Sequence, residues 1–130
     1  MKKNYYKDQY IELYIEDGIM YHIYGENVEI DLEIARHITL KRIEASEDKS
    51  YPMLIDSRFL KSLSKDARQY WSKDPDAQKY VIAGAGLIYN PIYSLIGNAF
   101  IKINNPVKPF RLFTDKTTAL QWLEYYKWLN

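Results

Sequence analysis

The chain has 130 residues, 47% hydrophobic and 27% charged, with a formal net charge of +1, which fits one domain with an ordinary apolar core and a wet surface. It has no cysteine and only two histidines, His22 and His37, which excludes a disulfide scaffold, a thiolate metal site and a cysteine nucleophile. No basic stripe marks a nucleic-acid surface, the charged start lacks the apolar stretch of a signal peptide, and no segment approaches the roughly 18 apolar residues of a membrane span. The expectation is therefore a cytoplasmic protein with no cofactor, no nucleic-acid partner and no membrane partner. Tyrosine is abundant, with 13 residues.

Residues 10–24 read as a β-hairpin. Ile11, Leu13 and Ile15 alternate with Tyr10, Glu12, Tyr14 and Glu16, and Ile19, Tyr21 and Ile23 alternate with Met20, His22 and Tyr24. A two-residue Asp17-Gly18 loop would set Glu16 opposite Ile19 and mix the faces. A three-residue Glu16-Asp17-Gly18 loop pairs Ile15 with Ile19 and Leu13 with Tyr21, keeps one face apolar, and is preferred. Asp31 is an N-cap, with Glu33 in the first turn, for a helix to about Ala45 that buries Leu32, Ile34, Ala35 and Ile38.

Tyr51 to Ile55 is apolar on both faces, as a doubly covered strand should be. A loop runs from Asp56 to Leu63, and Ser64 caps a helix to about Ser72 that stops before Asp74-Pro75. Tyr80 to Leu87 is a second central strand, and its small Ala83, Gly84, Ala85 and Gly86 admit a closely packed helix. Asn90-Pro91 starts the next helix as cap and first helical residue. Ile92, Leu95, Ile96, Ala99, Phe100 and Ile103 form its apolar face, and Asn104-Asn105-Pro106 ends it. Phe110 to Phe113 is the last strand, and Asp115 caps a final helix carrying Ala119, Trp122, Leu123 and Tyr126 on one face.

The order β-β-α-β-α-β-α-β-α implies an α/β fold in one domain over residues 1–130, ordered from about 10 to 128. An N-terminal antiparallel hairpin leads into parallel strands joined by right-handed crossovers. This order resembles the STAS, or anti-sigma-factor-antagonist, superfamily, and within it small uncharacterised bacterial proteins. The stretches that carry the resemblance are Val28-Glu-Ile-Asp-Leu-Glu, Tyr51-Pro-Met-Leu-Ile-Asp56, Asn90-Pro-Ile-Tyr-Ser-Leu-Ile-Gly-Asn98, Leu112-Phe-Thr-Asp115 and Ala119-Leu-Gln-Trp-Leu123. The resemblance implies a regulatory domain that docks to a partner protein or to itself as a homodimer, without catalysis. In regulatory STAS proteins a serine at the start of a helix is phosphorylated by a partner kinase. By spacing, Lys65 falls near that position with Ser64 just before it, and the Asp-Ser-Ser triplet is absent. Ser64 and Ser62 are the candidates.

Open parallel sheets gather ligands beyond the carboxyl ends of their strands. Those ends carry Asp56, Ser57, Arg58, Asn90 and Asp115, a candidate docking or ligand rim. In the alternative function, a small anionic ligand binds there, gripped by the planar fork of Arg58. The plainer reading is that Ser64, Asn90 and Asp115 only satisfy free helix N–H groups. Gly84-Ala85-Gly86 lacks the third glycine of a dinucleotide fingerprint, so close strand–helix packing explains it better. His22 is expected on the outer face opposite Glu12 as a surface pair, and His37 exposed mid-helix. Tyr10, Tyr14, Met20 and Tyr24 on the hairpin's second face, and Tyr93, Gly97 and Ile101 on the helix after Asn90, form two outward stripes. Each fits either a protein interface or a seat for the chain's own termini, for example Trp128.

Overall fold

The computed structural model describes residues 1–104 and 107–128, so the end of the expected Asn104-Asn105-Pro106 stop lies outside the described residues, as do the side chains of Phe100 and Ile103. Strands β1 (Lys3–Lys7), β2 (Ile11–Glu16) and β3 (Ile19–Tyr24) precede a short β4 (Glu29–Ile30) and helix α1 (Leu32–Ser46). Then come β5 (Tyr51–Asp56), a short β6 (Ser62–Leu63), α2 (Lys65–Lys73), β7 (Val81–Leu87), α3 (Pro91–Asn104), β8 (Phe110–Phe113) and α4 (Lys116–Lys127). Six strands form one sheet in the order β1-β2-β3-β5-β7-β8, and β4 and β6 form a separate parallel pair. The first three strands are antiparallel and the rest are parallel. Strands β1, β4 and β6 were not expected from the sequence.

Local chemistry sets the helix starts. Asp31 accepts a hydrogen bond from the Ile34 N–H, Ser64 from Ala67 and Asp115 from Thr118, all from residues in extended backbone. Each satisfies one of the donors a helix start leaves open.

The hairpin register departs from expectation. Glu16 pairs with Ile19, Ile15 with Met20, Leu13 with His22 and Ile11 with Tyr24, so the loop is the two-residue Asp17-Gly18. Both loop residues have positive φ, 52° and 76°, the twist that two-residue hairpin turns favour. The mixing of faces carries no penalty because both faces are covered. Ile11, Leu13, Tyr24 and Ile30 pack with Ala35, Ile38 and Ala67 of α1 and α2, and Met20 packs with Ile15, Met53 and Ala45. On the other face, Tyr14, Ile19, Tyr21, Leu54, Ala83, Ala85 and Leu87 pack with Ala119 and Leu123 of α4.

β1 contributes to that second face. Tyr5 stacks on Tyr14 at 6.3 Å, Tyr14 on Tyr21 at 4.7 Å, and the Lys2 ammonium sits 4.3 Å from the Tyr14 ring centroid. β1 is also an edge strand, and its edge is interrupted. Asn4 has φ 53°, the pairing register shifts between Lys3 and Tyr6, and the Asn4 amide donates to the Ala45 carbonyl at 2.8 Å. Charged and kinked edges of this kind resist pairing with another sheet.

The glycines of β7 make room for neighbouring strand side chains rather than for a helix. A Cβ on Gly84 would stand 2.8 Å from the Phe110 ring, and one on Gly86 would stand 2.8 Å from Leu112 Cδ2. The close strand–helix packing lies on the opposite face, at Ala83 and Ala85 against α4.

The same register buries His22, which was expected at the surface. It is 3% exposed, lies edge-on to Tyr24 at 5.0 Å and to Trp71 at 6.3 Å, and neither ring nitrogen has a hydrogen-bond partner among the described residues. Arg42, also buried, is satisfied by carbonyls, donating to Lys79 at 2.7 Å and Ala77 at 2.9 Å. Burial, and then the Arg42 charge, push the His22 imidazole down to about 3. The unfolded chain therefore binds the extra proton first, at the ordinary histidine value of 6.5. His22 should lower stability as pH falls from about 6.5 toward 3, by up to about 1.4 kcal/mol per pH unit. His22→Leu should remove that slope and stay within about 1 kcal/mol of wild type at pH 7.5. Urea midpoints at pH 7.5, 5.5 and 4.5 check this, and parallel losses in both proteins would contradict it.

Candidate functional site

The carboxyl ends of β5, β7 and β8 lie side by side, so Asp56, Leu87 and Phe113 are consecutive neighbours across the sheet. Asp56 is buried, and Arg58 folds back onto it. The guanidinium donates from Nε to Oδ1 at 3.0 Å and from Nη2 to Oδ2 at 2.8 Å, and the Arg58 N–H reaches Oδ1 at 3.2 Å. The hydrogen bond to Asp56 raises the Arg58 pKa further. The fork expected to grip an anion is thus occupied by a carboxylate of the same chain, in the bidentate geometry such a pair prefers. Ser57 continues the β5–β7 pairing through its N–H to the Leu87 carbonyl at 3.0 Å.

The remaining rim residues act as caps. Asn90 accepts from the Ile92 N–H at 2.9 Å. Asp115 accepts from both the N–H and the hydroxyl of Thr118 at 2.8 Å, first the backbone and then the side-chain bond lowering its pKa. Asp115 also borders a groove of about 310 Å3 between α3, β8 and the start of α4, shared with Pro91, Ser94, Asn98, Arg111 and Thr114. Asp56, Ser57 and Arg58 do not line it, so the expected rim is divided rather than gathered into one pocket. Ser64 is half-buried and caps α2 at 3.1 Å, and Ser62 is exposed on β6, paired in register with Glu29.

The expected hairpin stripe is not a surface. Tyr14, Met20 and Tyr24 are buried and belong to different faces, because the two-residue turn shifts the two strands relative to each other. Tyr24 stacks on Trp71 at 5.8 Å, and half-buried Tyr10 lies edge-on to His37 at 5.9 Å. Trp128 covers neither stripe, being exposed.

On α3 the expected orientation is reversed. Gly97 lies against β8, where a Cβ would collide with Leu112, and Ile101 is half-buried. Asn98 and Ser94 serve the same edge. The Asn98 amide donates to the Leu112 carbonyl at 3.0 Å and its oxygen accepts the Leu112 N–H at 2.7 Å, while the Ser94 hydroxyl donates to that carbonyl at 3.2 Å. Satisfying the last strand's backbone turns this polar face inward and leaves Ile92, Leu95 and Ile96, expected in the core, exposed beside Tyr93.

Two further clusters had no signal in the sequence. Asp8 accepts from the Tyr6 hydroxyl at 2.5 Å, contacts His37 Nε2 at 2.7 Å, and accepts from the N–H groups of Tyr10 and Ile11 at 2.8 and 3.0 Å. Burial raises its pKa, but these bonds outweigh it and hold the carboxyl at about 2. His37 is therefore a partner of the β1–β2 turn, 29 residues away, rather than free on the helix surface. At the amino end of the parallel strands, a hollow of about 470 Å3 is bordered by Gly18, Asp48, Tyr51, Ile82 and Lys127. Among the described residues no group of three or more His, Cys, Asp or Glu is placed to hold a metal ion, and no helix is long and apolar enough to cross a membrane.

This sheet, with its antiparallel opening and parallel remainder, is a SpoIIAA-like (STAS) fold. The crystal structure of an uncharacterised DUF3478-family protein with a SpoIIAA-like fold from Shewanella loihica PV-4 matches it with a TM-score of 0.62 at 17% identity, over 91% of this chain and 98% of that one. The chain belongs to the family of the domain of unknown function DUF7793, whose model matches residues 13–127. A protein of unknown function from Arthrobacter sp. FB24 aligns over 92% of this chain and 96% of its own, at 22% identity and a TM-score of 0.34. None of the curated proteins matches the sequence.

Asn98→Ala leaves the Leu112 N–H without its side-chain acceptor, at a cost of about 1–3 kcal/mol, and frees an unpaired strand edge. The expected outcome is a lower urea midpoint and concentration-dependent light scattering on warming, with Asn98→Asp, which keeps the acceptor, in between.

Proposed function

We propose that this chain is a regulatory or protein-interaction domain that works by docking rather than by catalysis. The observation that supports this most is the outward apolar face of α3, with Ile92, Tyr93, Leu95 and Ile96 exposed together. Monomeric proteins rarely leave a contiguous apolar surface of that kind without a use, and tyrosine and aliphatic side chains are what a docking surface offers. The rim supports the same reading by contrast. Asp56 and Arg58 neutralise each other, and Asn90 and Asp115 are committed to helix starts, so the anion-binding alternative rests on groups that would first have to be released.

A photo-reactive residue placed at Tyr93 tests the docking reading. The expected outcome is protein adducts from position 93 in cells of the native host, reduced by Leu95→Glu. Absence of adducts from position 93 would count against docking through α3. The ligand alternative would gain if inorganic phosphate or small carboxylates raised the melting temperature of the wild type but not of an Asp56→Ala, Arg58→Ala double variant.

A further inference from the structure

We infer that the exposed face of α3 is where two copies of this chain pair about a two-fold axis. The inference rests on the docking reading above and names the partner as a second copy.

Tyr89, Ile92, Tyr93, Leu95 and Ile96 are 65, 64, 67, 74 and 61% exposed. For side chains of this size that is roughly 600 Å2 on each copy, against the roughly 800 Å2 per partner of a stable interface. Ile92, Leu95 and Ile96 follow the one-face spacing of a helix. The strip continues at the head of α3 into Phe59, which is half-exposed and meets Tyr89 edge-on at 5.5 Å.

The charge pattern selects the partner. α3 carries no acidic residue, and its one basic residue, Lys102, lies in the last turn. Like surfaces can therefore meet without like charges facing each other, which a two-fold contact requires because each residue meets the same patch. Arg111 and Asp115, both exposed at the groove that Leu95 borders, carry opposite charges, so a strongly charged partner would find little net charge to complement. A lipid surface would call for several lysines or arginines along the flank of the apolar face, whereas Lys102 lies in the last turn, Arg111 shares its groove with Asp115, and Arg58 beside Phe59 is neutralised by Asp56. The face is carried by one helix, with the groove against β8 running alongside it at Leu95, and an apolar helix face suits packing against another helix, ridges into grooves. With roughly 1,200 Å2 buried in total, the pair sits at the lower bound for specific interfaces, so a dissociation constant in the micromolar range is expected.

Sedimentation velocity of the full chain from about 1 to 500 µM, a span chosen around micromolar affinity, tests this. The wild type should pass from monomer to dimer. Leu95→Glu and Ile96→Glu should each weaken pairing at least about tenfold, while Leu40→Glu, at an exposed leucine of α1, should leave it unchanged. The altered positions are exposed, so circular dichroism and melting temperature should be unchanged. Because the chain has no cysteine, Leu95→Cys and Ile96→Cys give an independent readout, and intermolecular disulfides should form there and not at Leu40→Cys. A wild type that stays monomeric throughout, a dimer indifferent to both glutamates, or cosedimentation with phosphatidylcholine–phosphatidylglycerol vesicles lost in Leu95→Glu would each overturn the inference. A monomer that still gives adducts to another protein from position 93 would overturn the pair alone and leave the docking reading standing.

Discussion

The β2–β3 hairpin has no solvent face. α1 and α2 cover Ile11, Leu13, Tyr24 and their neighbours, and α4, with Lys2 and Tyr5 alongside, covers Tyr14, Ile19 and Tyr21. Because both sides are buried, register is governed by the turn and by side-chain shape rather than by separating apolar from polar residues. From this follow the two-residue loop, the burial of His22 with no hydrogen-bond partner among the described residues, and the mutual packing of Tyr14 on Tyr21. It also explains why β7 can carry Gly84 and Gly86, whose missing side chains are replaced by Phe110 and Leu112 from the neighbouring strand.

The same economy operates at the two edges of the sheet. β1 is blunted by lysines and by a kink at Asn4, while β8 has its backbone clasped by Asn98 and Ser94. The second device has a consequence for the surface. A helix that presents amide and hydroxyl groups to a strand edge cannot present its isoleucines and leucine to the same place, so they face outward. An exposed apolar strip is thus the geometric counterpart of a protected edge, and the docking proposed for this domain draws on it.

At the carboxyl ends of the strands, the polar residues are mostly self-satisfied. Asp56 closes on Arg58, and Asp115 closes on Thr118. Groups held in this way stabilise their loops and helix starts, since a buried carboxylate left unpaired would be costly. Asp8 plays a similar part elsewhere, drawing Tyr6, His37 and two backbone N–H groups together and tying the β1–β2 turn to α1.

By itself, the sequence determined the alternation of strands and helices, the caps at Asp31, Ser64, Asn90 and Asp115, and the fold class, because these depend on periodicity and on chemistry within a few residues. The short β4 and β6 and the edge strand β1 escaped it, since each is defined by a distant partner more than by its own pattern. Tertiary structure alone decided which way faces point. An alternating strand looks the same whether one side or both are buried, and the apolar stripe of α3 looks like a core face until Asn98 finds Leu112. It also decided that Arg58 meets Asp56 rather than solvent, because a charged fork reads as available until the loop that carries it is folded.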